Sequence, residues 1–218
     1  MKYSTWIFDF DYTLADATPG IVESMNYALT RLGFAPAEYE EIRKTVGETL
    51  ENAFFALTNS NDADGARAFH ELFVERADVV MTPSTELFAD ALDVLRKLKI
   101  SGCKTAIVTS KERYRITESI EKFDMGELID AVIGYEDVRD AKPAPEGLYA
   151  AISALGAAKS ETLYVGDTVI DAETAFRAGV DFAAVTTGTT PAGAFDDYPS
   201  VAVKSSLREL PEFLEETI

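Results

Sequence analysis

Apolar positions along the chain fall into two rhythms. Short runs, "STWIFD" at 4–9, "KTAIV" at 104–108, "AVI" at 131–133, "TLYV" at 162–165 and "DFAAV" at 181–185, have the length and residue types of strands buried on both faces. Between them, apolar residues recur three and four apart over 87–99, 112–123, 146–155 and 171–178, which predicts helices. Residues 19–32 also read as a helix, with Thr18 as its cap, a proline in the first turn and Gly33 at the stop. From 38 to 80 only the helical spacing is found, in "YEEIRKTV", "TLENAFFALT" and "ARAFHELFVERADVV". Alternating strands and helices predict an α/β fold, a parallel sheet with helices on both faces. The all-helical stretch then interrupts it, so the expected organisation is a core of 1–15 and 83–218 and an insert of 16–82, jointed near Asp16 and Pro83.

Composition narrows the function classes. At 218 residues the chain has room for one large domain or a domain carrying an insertion, and 47% apolar with 27% charged residues suits a folded protein. No run approaches the roughly 18 apolar residues of a membrane span, and the N-terminal residues carry no signal-like apolar stretch, so no membrane partner is expected. The single cysteine, Cys103, cannot form an internal disulfide, which fits a cytoplasmic protein. With 38 acidic and 20 basic residues the formal charge is −18. That field disfavours nucleic acid as a partner, and it means that a site for a phosphate ester needs local cations or a metal.

In an open parallel sheet, ligands bind beyond the carboxyl ends of the strands. The first strand ends in Asp9-Phe10-Asp11-Tyr12-Thr13, the strand at 104–108 in Thr109-Ser110, and the strand at 162–165 in "GDTVID" with Asp167 and Asp171. The loop after 131–133 carries Lys142 in "AKPAPEGL". Asp9 and Asp11 lie two apart, so an extended backbone would project both carboxylates from one face. Four aspartates and one lysine carry −3. Two charges 4 Å apart still interact by about 4 kcal/mol at an effective dielectric of ~20. The cluster therefore calls for a cation, and Mg²⁺ suits carboxylates and phosphate oxygens. Repulsion of this kind is expected to leave one aspartate, Asp11, protonated when a phosphate dianion enters.

DxDxT after an apolar strand, a strand-terminal Thr-Ser, a lysine before Pro-x-Pro, and GDxxxD together resemble the four motifs of the haloacid dehalogenase-like hydrolases, in order and spacing. The likeness spans the whole chain. It is most detailed from "AKPAPEGLYAAISALG" through "LYVGDTVIDAETAFRAGV" to "VTTGTT", which resembles the phosphoglycolate phosphatase-like branch, and the helical insert resembles that branch's C1-type cap. The resemblance implies a Rossmann-like core and a Mg²⁺-dependent phosphatase of small phosphorylated metabolites. It implies Asp9 as nucleophile forming an aspartyl-phosphate and Asp11 as general acid and base. Asp9, Asp11 through its backbone carbonyl, Asp167 and Asp171 would hold the metal, and Thr109, Ser110 and Lys142 the phosphoryl group. Arg43 and Lys44, ahead of Gly47 in the insert, would meet the substrate's distal group, and the insert would close over the ester. The family commonly has glycine where this chain has Tyr12. If that position needs positive φ the aromatic residue is strained; otherwise its ring faces the cleft.

Plainer readings stand beside these. Asp171 could start a helix, Thr109 and Ser110 could cap one, Lys111 reads as a solvated charge, His70 as surface or cap packing, and Cys103 and Trp6 as core. Alternative functions are a phosphomutase of β-phosphoglucomutase type, a pyrophosphatase or 5′-nucleotidase, and a catalytically silent phospho-ligand-binding module. Dehalogenation of a 2-haloacid requires neither Asp11 nor a metal and is disfavoured. The expected assembly is a monomer or homodimer.

Overall fold

Strand β1 (Thr5–Phe8) is buried at every position, because the sheet it belongs to is covered on both sides. In the computed structural model, which describes residues 2–210, β1 lies at the middle of a six-stranded parallel sheet. The other strands are β4 (Lys104–Val108), β5 (Ala131–Ile133), β6 (Thr162–Gly166), β7 (Asp181–Val185) and β8 (Ser200–Lys204), in the order β5-β4-β1-β6-β7-β8. The chain builds outward from β1 through β4 to β5, then returns to place β6 on the other flank of β1. The order therefore reverses at β1, and a crevice opens at its carboxyl end.

Helices α5 (Ala91–Ile100), α6 (Arg113–Lys122), α7 (Glu146–Leu155) and α8 (Val169–Ala178) follow the strands. Alternate strand residues feed two cores: Trp6, Phe8, Ile107 and Val165 pack with Val94, Leu98 and Ile116 on one face. Ile7, Ala106 and Tyr164 pack with Leu148, Ile152 and Ala175 on the other. Each fully buried Leu, Ile or Phe contributes roughly 1.5–3 kcal/mol of hydrophobic stabilisation. Cys103 and Trp6 are both in the first core.

The chain divides into two compact units, Met1–Ala15 with Leu87–Ile218, and Asp16–Glu86. The chain crosses between them through two short paired strands, β2 (Ala15–Asp16) and β3 (Glu86–Leu87). The second unit is all helical: α1 (Thr18–Arg31), α2 (Tyr39–Arg43), α3 (Leu50–Thr58) and α4 (Ala63–Ser84). Its own core gathers Met25, Ile42, Phe54, Phe69, Phe73 and Met81, with the Phe54 and Phe69 rings 5.4 Å apart.

Four local readings are corrected. Thr18 is the first helical residue and not the cap; its backbone N–H donates to Asp16 Oδ1 at 2.8 Å. Pro83 does not end the helical unit: it lies inside the last turn of α4, and the unit runs on to Glu86. The helix expected from 87 begins at Ala91, because Leu87 pairs in β3 and the Phe88 N–H is tied to the Leu14 carbonyl at 3.0 Å. Strand β8 carries only weak alternation and was not anticipated; it forms because β7 offers it a free edge.

Candidate active site

The end of β1 supplies the central residue. The Asp9 N–H donates to the Val165 carbonyl at 2.9 Å, so Asp9 prolongs the ladder and its side chain enters the crevice 2% exposed. Asp167, just past β6, is 1% exposed. Asp171 sits in the first turn of α8, where Thr168 and Asp171 cap the helix reciprocally, and it is fully buried. Its close approach depends on Gly166, since a Cβ there would lie 2.5 Å from that of Asp171. One carboxylate oxygen from each of Asp9, Asp167 and Asp171 lies within 4.8 Å of the other two.

Lys142 supplies charge to this group. Its Nζ donates to Asp171 Oδ1 at 2.7 Å and lies 3.0 Å from Asp9 Oδ1, with its side chain 5% exposed. Asp171 Oδ1 also accepts from the Tyr164 hydroxyl at 2.7 Å, and Oδ2 accepts from the Thr168 N–H and hydroxyl at 3.1 and 2.6 Å. All four acceptor positions of Asp171 are thus in use. Asp167 is in the opposite condition: Oδ1 accepts a long bond from Thr13 at 3.4 Å, and buried Oδ2 accepts none. Asp9 Oδ1 likewise receives no aligned hydrogen bond. Buried carboxylate oxygens left in this state are costly, and hard oxygen donors of this kind could hold a metal ion.

Burial pushes the Asp9 carboxyl up to about 7; Lys142 opposes this, while Asp171 and Asp11 add to it. Burial, with Asp171 and Asp9 nearby, likewise holds Asp167 well above the ordinary carboxylate range. For Asp171 burial acts in the same direction, but the charge and hydrogen bond of Lys142 outweigh it and the group stays below that range. Lys142 is itself disfavoured by burial as a cation, yet Asp171 and Asp9 hold it protonated.

Asp11 forms an ion pair with Lys111, whose Nζ lies 2.7 and 2.6 Å from its two oxygens. Lys111 is therefore not a solvated charge; its side chain is 9% exposed. The physical reason is that a helix-start lysine with an aliphatic stem can fold back over Phe10, whose ring centroid is 5.8 Å from Nζ. With both lysines counted, four aspartates leave the group at −2.

Thr109, 7% exposed, Ser110 and Lys142 line one small cleft together with Gly134, Tyr135 and Asp140. Thr109 and Ser110 do not cap α6; its first N–H groups begin at Arg113, which donates to the Glu136 carboxylate. Tyr12 does adopt the left-handed conformation, at φ 57°, and its ring is buried, at 4% exposed. Such a φ costs a non-glycine residue about 1–2 kcal/mol. Hydrogen bonds hold it there: its N–H donates to the Ala15 carbonyl at 2.7 Å, and its carbonyl accepts from the Thr187 hydroxyl. Arg43 closes α2 and pairs with Glu40 at 3.3 Å, while Lys44 is exposed within the helical unit.

Lys111, Tyr164, Thr13 and the Thr187-Gly188 loop were not foreseen as site residues. Gly188 had one visible signal, its place in "VTTGTT". A Cβ on it would stand 1.9 Å from Asp167 Oδ2, so only glycine leaves that carboxylate its position. Gly188→Ala is expected to push apart the Asp167 carboxylate and the loop bearing residue 188 and so to destabilise the protein by roughly 1–3 kcal/mol. The measurement is urea denaturation; an unchanged midpoint would show that Asp167 can move without loss.

Residues 6–185 match the family model described as haloacid dehalogenase-like hydrolase. A phosphoglycolate phosphatase from Rhodobacter capsulatus is 31% identical over 215 residues, covering 96% of this chain and 95% of the relative. A pyrophosphatase from Bacillus cereus is 29% identical over 187 residues, 85% of this chain and 84% of the relative. A solved structure from Bacteroides fragilis, named as a haloacid dehalogenase-like hydrolase, superposes with a TM-score of 0.93 at 42% identity, covering 96% of this chain and all of that one. Among the described residues no helix is long and apolar enough to cross a membrane. A buried aspartate cluster at the switch point of a parallel sheet, a family match over most of the chain and full-length relatives agree: the chain is a phosphatase belonging to the haloacid dehalogenase-like hydrolases, in their phosphoglycolate phosphatase-like branch.

Proposed function

We propose that this phosphatase hydrolyses small phosphomonoesters in two steps through Asp9, with Mg²⁺ as cofactor. The observation that carries the reading is the pairing of unsatisfied buried oxygens on Asp9 and Asp167 with a lysine 3.0 Å from Asp9. An Asp9 oxygen attacks phosphorus as the ester oxygen departs, and Asp11 gives that oxygen its proton. Asp11 then takes a proton from the water that hydrolyses the aspartyl-phosphate, which restores both carboxyls. Thr109, the Ser110 N–H and Lys142 hold the phosphoryl oxygens, where transition-state charge is spread.

Asp9, Asp167 and the Asp11 backbone carbonyl would hold Mg²⁺, which when bound neutralises carboxylate charge and polarises the phosphoryl oxygens. Asp171, its acceptors already filled, would serve by orienting Lys142 instead of by direct ligation. Relatives named phosphoglycolate phosphatase at full length favour short anionic esters, phosphoglycolate first and sugar phosphates next. Arg43 and Lys44 belong to this reading as determinants of substrate choice in the helical unit. Pyrophosphate is the second candidate, favoured by the relative of that name.

With p-nitrophenyl phosphate and Mg²⁺ the protein is expected to release phosphate, to lose about 100-fold or more of that rate in EDTA, and to regain it when Mg²⁺ is restored. Full activity in EDTA would refute the metal assignment. A screen of phosphoglycolate, hexose phosphates, nucleotides and pyrophosphate identifies the substrate, and isomer formation from a hexose phosphate would reveal a mutase.

A further inference from the structure

We propose that Lys111 is a positioning residue for Asp11, clamping its carboxylate in the orientation from which it serves the leaving oxygen. This rests on the reading above, in which Asp11 is the acid. Asp11 lies on the short loop after β1, and an aspartate there has two free side-chain torsions to settle. Among the described residues, Lys111 supplies both hydrogen bonds that the carboxylate accepts, one to each oxygen. Two of its four acceptor positions are left for a substrate or a water.

The clamp is itself anchored. The Lys111 N–H donates to Thr109 Oγ1 at 3.3 Å, and its carbonyl accepts from the Tyr135 N–H at 2.9 Å. Its Nζ is 5.8 Å from the Phe10 ring centroid. The lysine backbone is therefore tied both to the phosphate-binding threonine and to the loop after β5, 100 residues along the chain from the acid it holds. With the two side chains 9% and 13% exposed, water competes little for either partner. An ion pair placed only for stability gains little after desolvation. This one instead spans the two loops that must keep nucleophile, acid and phosphate in register, where small displacements are expensive in rate.

The test uses leaving groups. p-Nitrophenolate departs without much help from an acid, whereas the alkoxide of phosphoglycolate needs a proton. Lys111→Met is expected to lower kcat on phosphoglycolate by about 100-fold, at least tenfold more than its loss on p-nitrophenyl phosphate. Asp11→Asn should show the same bias, the double variant should be no slower than Asp11→Asn alone, and Lys111→Arg should recover most of the rate. Thermal melts establish that each variant is folded. Equal losses on both esters, a change in KM alone, or multiplicative effects in the double variant would overturn the inference while leaving the function standing. A wild-type protein without metal-dependent turnover of either ester would overturn both.

Discussion

Asp9→Asn is expected to abolish turnover, by about 10⁵-fold or more, and at the same time to make the metal-free protein more stable above pH 7. The first effect follows because the amide cannot attack phosphorus, and removal of a nucleophile is the most damaging single change to a two-step mechanism. The second follows from burial. The folded chain raises the Asp9 carboxyl to about 7, against an unfolded value of about 3.9. A raised carboxyl binds its proton more tightly in the folded state, so the charged form costs stability. That cost begins as pH rises past the unfolded value and is complete above about 7. By linkage it amounts to several kcal/mol, on the order of 4. Asparagine carries no charge and removes the cost, so urea denaturation in EDTA should show the variant more stable at pH 8 and equal to wild type below about pH 4. Saturating Mg²⁺ should narrow the gap at pH 8, because it stabilises only the carboxylate form. A variant no more stable than wild type at any pH would mean that Asp9 is not held at the cost its burial implies.

Lys142→Met is expected to destabilise the protein by about 3–5 kcal/mol, because it leaves Asp171, fully buried, as an anion without a cation. Tyr164 and Thr168 still donate to it, but neutral donors do not replace the charge. Activity should fall by about 100–1000-fold through loss of a phosphoryl-oxygen partner. The double variant Lys142→Met/Asp171→Asn separates the two roles. It should recover much of the lost stability, since no uncompensated charge remains, and none of the lost activity. If stability losses simply add, the pair is not energetically coupled and the network assigned to it is wrong.

The motif residues were legible as a set because each follows a strand that its own apolar run announces. Asp9, Thr109 and Asp167 need only the end of "TWIF", "KTAIV" or "TLYV" to be placed. What each does inside the site was less legible. Asp171 reads equally as a ligand or a helix start until Tyr164, Thr168 and Lys142 are seen to fill its oxygens. Tyr12 was marked as a departure from the glycine pattern, but whether its φ or its ring mattered depended on Ala15 and Thr187, the second 175 residues away. Lys111 reads as a solvated charge in the sequence for the same reason: nothing adjacent to it in the chain says that Asp11 is its partner.

Five of the six strands of the parallel sheet, most of the helices, the helical interruption and the four strand-end motifs follow from the sequence alone, since periodicity and strand termini are properties of a few neighbouring residues. Tertiary structure decided which charges meet. Pairs such as Lys111 with Asp11, Lys142 with Asp171, and Gly188 against Asp167 come from loops that the order of strands brings together. Burial energies and electrostatic couplings between them depend on distances of a few ångströms, and those distances exist only once the sheet has formed.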